Sequence, residues 1–342
     1  MAFKTATVNA SDVAATLTDY PAYVDLSRLG ITTLAEAQSV RVYADEAKTT
    51  EWAREIVSVT EMHVKIPSLT STTDIYVDYD GIRADYAVGA TYGRNAVWSD
   101  YDMVLHMDDE TTSTITSSVD SVTFNKVSAG NPAEATGKIG NSQYNDDIFA
   151  GGATDYISSN DAALNSMGNG DITMQIWYKS IQSRDGFLFN KDMGSNRIGI
   201  RIISGKAETY FFDGSNFPFV QGTTNVNSGD WHMIHAVRDA GTTNFIYVNG
   251  SSENTKTDTA AIDLRSTSRV VLYGRSIDFF DSTNGYLDEM RVRNSVLPAN
   301  WITTEYNNQN DEATFWGTWT DAGGGGGPTA NNSARRQHLM MM

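Results

Sequence analysis

The chain has 342 residues, 42 of them Asp or Glu and 25 Lys or Arg, for a formal charge of −17. Its 40% hydrophobic and 20% charged content is globular and long enough for about two domains with cores of their own. The acid excess argues against a nucleic-acid surface, which needs a concentrated cationic face, and suits a cation or a neutral partner such as a glycan. With no cysteine, disulfides, thiolate metal sites and a Cys nucleophile are excluded. No apolar run approaches the roughly 20 residues of a membrane span, so membrane insertion is not expected. The opening Met1-Ala2-Phe3-Lys4-Thr5 lacks the apolar core, roughly 7–15 residues long, of a signal peptide, so export by that route is not expected either.

Short alternating runs follow one another, each bounded by Gly, Asn, Asp or Ser. They are Ala22-Tyr23-Val24-Asp25-Leu26, Val40-Arg41-Val42-Tyr43 and Asp74-Ile75-Tyr76-Val77-Asp78-Tyr79 in the first hundred residues. Further on come Ile172-Thr173-Met174-Gln175-Ile176-Trp177, Ile198 to Ile202, Phe245 to Val248 and Val270 to Tyr273. This is the strand signature, with one side chain in two directed inward. The fold class it predicts is all-β, two β-sandwich (jelly-roll) domains. Helix signals are few. Ser27 to Ala37 can hold a turn or two, and Pro298 to Tyr306 places Trp301, Ile302, Glu305 and Tyr306 at helical spacing behind a first-turn proline.

A boundary is expected near Ala96-Val97-Trp98, dividing residues 1–98 from 99–318. From 319 to 342 the chain reads as a flexible tail. Gly323 to Gly327 cannot form an ordered core element, and the end beyond them is locally cationic and then apolar. As a docking peptide it would use Arg335, Arg336, Leu339 and Met340; as a plain disordered end it would use none of them.

The first block resembles a small β-domain family of unknown function, DUF2341, through Leu17 to Leu26, Val40 to Tyr43, Val64-Lys65-Ile66-Pro67-Ser68-Leu69 and Asp74 to Tyr79. The second resembles the laminin-G (LamG) or concanavalin-like family. The matching stretches are Leu105-His106-Met107, Gly137-Lys138-Ile139-Gly140, Ile172 to Trp177, Gly229-Asp230-Trp231-His232, Tyr247-Val248-Asn249-Gly250 and Gly285 to Val292. The resemblance implies two consecutive sandwiches, the second a concanavalin-like jelly roll, a fold that hosts lectins, adhesion modules, glycosidases and spacers alike.

Each candidate chemistry has an ordinary alternative. Glycoside hydrolysis needs two carboxylates about 5–9 Å apart across one bond. Asp288-Glu289 is the tempting pair, but adjacent strand residues point to opposite faces and cannot converge on one sugar; the family resemblance implies a structural role instead, with one carboxylate inward at a turn and one on the surface. None of the five histidines, His63, His106, His232, His235 and His338, lies in a Gly-x-Ser-x-Gly setting, and His232 and His235 fall on opposite strand faces. No catalytic residue is assigned and no enzyme is expected. Calcium wants several hard oxygens, and Asp108, Asp109, Asp281 and Asn284 are its candidate ligands, with solvated acidic loops as the alternative. Sugar recognition uses aromatic platforms with planar polar side chains. Phe212, Asn216, Phe217 and Phe219, in a stretch of four phenylalanines, are the candidate glycan-binding residues, with burial under the sandwich edge as the alternative. The resulting expectation is a non-enzymatic adhesion or decoration protein on a phage virion surface. It would touch a glycan or host cell surface and hold other virion proteins through its tail, as a monomer or a homo-oligomer. A carbohydrate-binding module of a secreted or cell-surface protein is the alternative, with a glycoside hydrolase third.

Overall fold

Alternation in the sequence becomes antiparallel pairing in the computed structural model, which describes residues 2–127, 131–146, 155–264, 269–275 and 283–323. Among these residues there are four sheets. The first block supplies two. A five-stranded sheet runs in the order Thr320–Asp321, Ala2–Thr7, Asp74–Tyr79, Arg41–Tyr43, Glu51–Trp52, and a three-stranded sheet in the order Leu17–Asp25, Glu61–Leu69, Arg54–Ile56. Inward residues such as Val24, Val42, Val64, Ile66 and Val77 close a core between them, none of it exposed. The expected turn near Ser27–Ala37 is a 3₁₀ turn, Leu26–Leu29, and a short helix, Leu34–Gln38. Thr33 and Glu36 start that helix with a reciprocal capping box.

The second block is a sandwich of a nine-stranded and an eight-stranded sheet. The nine-stranded sheet runs from Gln221–Asn225 through Lys206–Phe212, Asn196–Ile203 and Gly186–Met193 to Asp109–Thr111 at the far edge. Its partner has Gly285–Arg293 and Ile172–Lys179 at the centre, flanked by Asn141–Asn145 and Trp231–Asp239. Ile172, Met174, Ile176 and Tyr178 face the core with Ile198, Ile200 and Ile202 opposite. The fold class is therefore all-β, as the alternation predicts.

The expected helix is longer than its spacing suggested. It spans Ala299–Asn310 and is followed by Glu312–Trp316. The pair lies between the eight-stranded sheet and the first block. Trp301, Ile302, Phe315 and Trp316 complete the first block's core, joined by Val237 and Tyr247 from the far side of the eight-stranded sheet. Asn308 takes the backbone N–H of Tyr23 on Oδ1 (2.7 Å) and donates to its carbonyl (3.0 Å). Trp177 donates from Nε1 to Gln309 (2.7 Å). A helix packed between two layers buries polar residues such as Asn308 and Gln309, which find partners in both. The region of the expected boundary is packed as well, with Trp98 edge-on to Tyr101 at 5.2 Å. Thr320–Asp321 pairs with Ala2–Thr7, so the stretch expected to begin the tail first adds a strand to the first sheet. Arg335, Arg336, Leu339 and Met340 lie outside the described residues.

Candidate functional site

On the open side of the nine-stranded sheet, alternation directs Phe211 into the core and leaves Tyr210 and Phe212 outside. The following loop folds back over them. Asp213 organises it by accepting the backbone N–H groups of Ser215 (2.9 Å), Asn216 (2.6 Å) and Ala261 (2.8 Å) and the side-chain amide of Asn216 (2.9 Å). These bonds hold the Asp213 carboxyl well below its ordinary range, the Asn216 side chain first among them. Phe217 thereby sits 4.6 Å from Tyr210, 5.0 Å from Phe219 and 6.3 Å from Phe212, ring centre to ring centre. Cations lie over the rings: Arg201 over Tyr210 (4.6 Å) and Phe217 (5.2 Å), and Lys256 over Phe219 (4.6 Å). Glu208, directly opposite Arg201 in the pairing register, fixes that guanidinium by accepting from Nε (2.7 Å) and a terminal nitrogen. Phe219 is 39% exposed, and Phe212 and Phe217 are half-buried. The four residues singled out in the sequence, Phe212, Asn216, Phe217 and Phe219, therefore share one solvent-facing patch. Tyr210 and Arg201 belong to it and were not singled out. Their outward phase along the strands, with Glu208 opposite Arg201, was the signal for them.

A second aromatic row crosses the eight-stranded sheet. Tyr144, Tyr286, Lys179 and Trp231 stand directly opposite one another on four neighbouring strands. Tyr286 is 4.7 Å from Tyr144 and 6.0 Å from Trp231, with the Lys179 ammonium 5.6 Å over its ring. Each is half-buried. Short sequence motifs cannot show it, because it exists only across strands.

The other end of that face is covered by the first block and buries charged side chains beside Trp177 and Tyr247. Here the expectation for Asp288-Glu289 fails. Leu287 and Met290 both face the core, with two residues between them. Gln175 pairs with Arg291 but Trp177 pairs with Asp288, so the strand Gly285–Arg293 carries one extra residue at this point. That β-bulge, with Glu289 at φ 48°, places both carboxyls on the outer side, and neither reaches the surface. Asp288 accepts the backbone N–H groups of Lys138 (2.8 Å) and Ile139 (2.9 Å). A Cβ at Gly137 would come within 2.6 Å of its Oδ2, which explains the glycine. Burial and the neighbouring Glu289 push the Asp288 carboxyl well above its ordinary range.

Glu289 meets three groups from elsewhere. Its Oε1 lies 2.6 Å from His106 Nδ1, and its Oε2 accepts from Arg291 and lies 3.9 Å from His63 Nε2. Glu61 joins them, with Oε1 3.0 Å from His63 Nε2 and 3.3 Å from His106 Nδ1. Glu61, His63, His106 and Glu289 are all fully or almost fully buried, and one ligand atom from each lies within 4.8 Å of the others. Arg291 also bridges to Glu305 (3.0 Å), which holds His235 (3.0 Å). Burial drives the His63 imidazole well below its usual range, hence neutral. Burial works against charge on His106 too, but Glu289 and Glu55 outweigh it and raise the imidazole well above its usual range. Burial lifts Glu61 to about 8.

Next to this cluster opens a cleft of about 440 Å³ lined by Glu55, His106, Asp108, Asp109, Glu110 and Glu134 among others. Two of the proposed calcium ligands, Asp108 and Asp109, are therefore at a cleft. Asp109 is ion-paired to Lys126 (2.5 Å) and accepts from Gln143 (2.8 Å). Burial raises Asp108 to about 6. Asn284 is buried in the sandwich with both side-chain amide atoms unpartnered, and no contact among the described residues joins it to Asp108 or Asp109. Asp281 lies outside the described residues. His232 and His235 fall on opposite faces, as the spacing predicts, His232 bonding Ser228 (2.9 Å) and Asn249 (3.1 Å).

Residues 149–303 match the family model of the concanavalin A-like lectin/glucanases superfamily. No curated protein matches the chain. Among solved structures the chain is similar to the binding domain of Paraclostridial mosquitocidal protein 1, at 12% identity and a TM-score of 0.50, over 61% of this chain and 52% of that one. It is also similar to the binding domain of botulinum neurotoxin DC, solved with rat synaptotagmin II, at 11% identity and a TM-score of 0.47, over 62% and 52%. A further likeness is to domain 4 of an extracellular arabinanase from Geobacillus stearothermophilus, solved with arabinotriose, at 16% identity and a TM-score of 0.48, over 60% and 98%. The chain spans about half the length of the two toxin binding domains. At these identities the likeness is one of fold.

Proposed function

We propose that this is a non-catalytic surface-recognition protein whose concanavalin A-like domain binds a glycan through the patch of Tyr210, Phe212, Phe217, Phe219 and Arg201. The observation that carries the reading is the open stack around Phe217, rings set beside a guanidinium that Glu208 holds in place. Sugars present C–H faces to such rings and hydroxyls to planar polar groups. The lectin content of the matched superfamily and the likeness to the binding domain of the mosquitocidal protein agree with it. In the finer form of the reading, the protein sits on a virion surface, its first block is a DUF2341-like spacer, and residues 324–342 dock it to other virion proteins. The same patch would serve a secreted or cell-surface binding module equally well. A calcium ion at Asp108 and Asp109 remains part of this proposal. A glycan array with the full chain tests it: selective binding, lost with Phe217→Ala and retained with Glu110→Gln, is expected. No binding above background to any glycan would overturn it.

A second reading rests on the cleft. Glu55 is held below its ordinary range, since His106, Ser118 and Trp98 outweigh the effect of burial, whereas Asp108 is raised to about 6. Two carboxyls whose environments push them apart suit general acid–base work on a glycosidic bond. Turnover of an oligosaccharide that disappears in Glu55→Gln would favour this hydrolase over the binding protein.

A further inference from the structure

We propose that Glu61, His63, His106 and Glu289 bind one divalent transition-metal ion of the zinc type, which ties the first block to the sandwich. Geometry comes first. The four side chains come from three separate stretches: the strand Glu61–Leu69, the residue after the strand Met103–Leu105, and the bulge in Gly285–Arg293. Their facing atoms lie close together: His106 Nδ1 is 2.6 Å from Glu289 Oε1 and 3.3 Å from Glu61 Oε1, which is 3.0 Å from His63 Nε2. Tetrahedral ligands at about 2.0–2.1 Å from zinc stand about 3.3–3.4 Å from one another, a spacing these atoms already meet or would reach by separating by less than about 1 Å. The two imidazole rings lie 4.7 Å apart with their planes 19° apart. Two nitrogens and two carboxylate oxygens form a zinc-type set; calcium would require six to eight oxygens.

The surroundings are those of held ligands. Glu55 lies 3.1 Å from His106 Nε2, which leaves Nδ1 directed at the cluster. Arg291 occupies Glu289 Oε2, so that Oε1 is the oxygen left to the ion. Glu289 adopts its left-handed backbone, strained for a non-glycine residue, at the point that delivers this carboxylate. Glu61 Oε2 is buried without a partner. Arg291 pairs with Glu289 and Glu305, so among the described residues Glu61 has no guanidinium partner and pairs only with the two imidazoles. His106 borders the 440 Å³ cleft, which gives the ion a way in. With every ligand buried, the site has no open position and is structural.

The test uses the full chain, purified without metal-affinity steps. Elemental analysis after equilibration with zinc chloride and desalting should give about one zinc per chain, and cobalt(II) should give visible bands of tetrahedral intensity. Glu61→Gln should weaken zinc binding at least tenfold, and Glu55→Gln, a positioning change, about 10–100-fold. Less than a tenth of an ion per chain, calcium bound in place of zinc, or an octahedral cobalt spectrum would overturn the proposal. So would zinc binding unaltered in both variants. If Glu61→Gln does not fold, the stoichiometry and the cobalt spectrum of the unaltered chain decide.

Discussion

The two outer faces of one sandwich differ in how far they are covered. The face of the eight-stranded sheet that lies under the first block and the helix Ala299–Asn310 carries Gln175, His235, Glu289 and Arg291, all essentially without exposure. The open face of the nine-stranded sheet carries Arg201, Tyr210, Phe212 and Phe217, all partly exposed. Charges are hidden on the covered face, beside buried rings such as Trp177 and Tyr247, whereas the open face leaves its rings wet, against what burial alone would select. A buried charge persists only when paired and hydrogen-bonded, so the covered face is committed to structure. Rings left in water give up hydrophobic stabilisation, so the open face is the one free to serve recognition.

Changes on the covered face should therefore be the costly ones. Arg291→Met leaves Glu289 and Glu305 without their guanidinium and should destabilise by about 3–5 kcal/mol, read by denaturant unfolding. A loss under about 1 kcal/mol would mean the network is slack and the contrast between the faces unfounded. Asn308→Ala comes next. It strips both bonds from the backbone of Tyr23, one of them from a buried N–H, and should cost about 2–3 kcal/mol. An effect this size would establish the helix as the seam between the blocks.

Much of this molecule was legible in its sequence, and the exceptions share a cause. Strands such as Ile172–Lys179 and Asn196–Ile203 could be read because burial on one face imposes a local period of two. The helix could be located from Trp301, Ile302, Glu305 and Tyr306, but not its extension to Asn310, since Asn308 and Gln309 are buried by partners distant in sequence. The bulge at Asp288-Glu289 broke the alternation that the sequence argument depended on. His63 and His106 carry no shared motif, and only the docking of the first block on the sandwich brings them together. The aromatic patch was half legible: the loop phenylalanines stood out by composition, whereas Tyr210 and Arg201 needed the strand phase.

The seam also has a pH signature. Burial raises Glu312 from 4.5 to about 7 despite its bond from Arg28 (2.6 Å). A raised folded value means that the native state holds the proton more tightly. The contribution is fully present below pH 4.5 and is lost as pH rises through 7. Between those limits the unaltered chain should lose up to about 1.4 kcal/mol per pH unit relative to Glu312→Gln. Denaturant curves at pH 5, 6, 7 and 8 for both proteins isolate the effect, because the other groups cancel in the difference. Parallel stability curves would show that this carboxyl ionises freely and that the seam is wetter than its packing implies.

The smallest stability change should be on the open face, and it should be the one that matters for binding. Arg201→Lys keeps the charge and the ion pair with Glu208 but loses the planar group over Tyr210 and Phe217. Because Lys keeps the ion pair with the buried Glu208, unfolding should shift by no more than about 1 kcal/mol. Glycan affinity should nevertheless fall about tenfold, since a flexible ammonium cannot lie flat beside the rings and meet two hydroxyls at once. If the substitution instead destabilised the fold as strongly as Arg291→Met while leaving glycan affinity intact, Arg201 would belong to the scaffold. The open face would then be structural too, and recognition would have to be sought along Tyr144, Tyr286 and Trp231 instead.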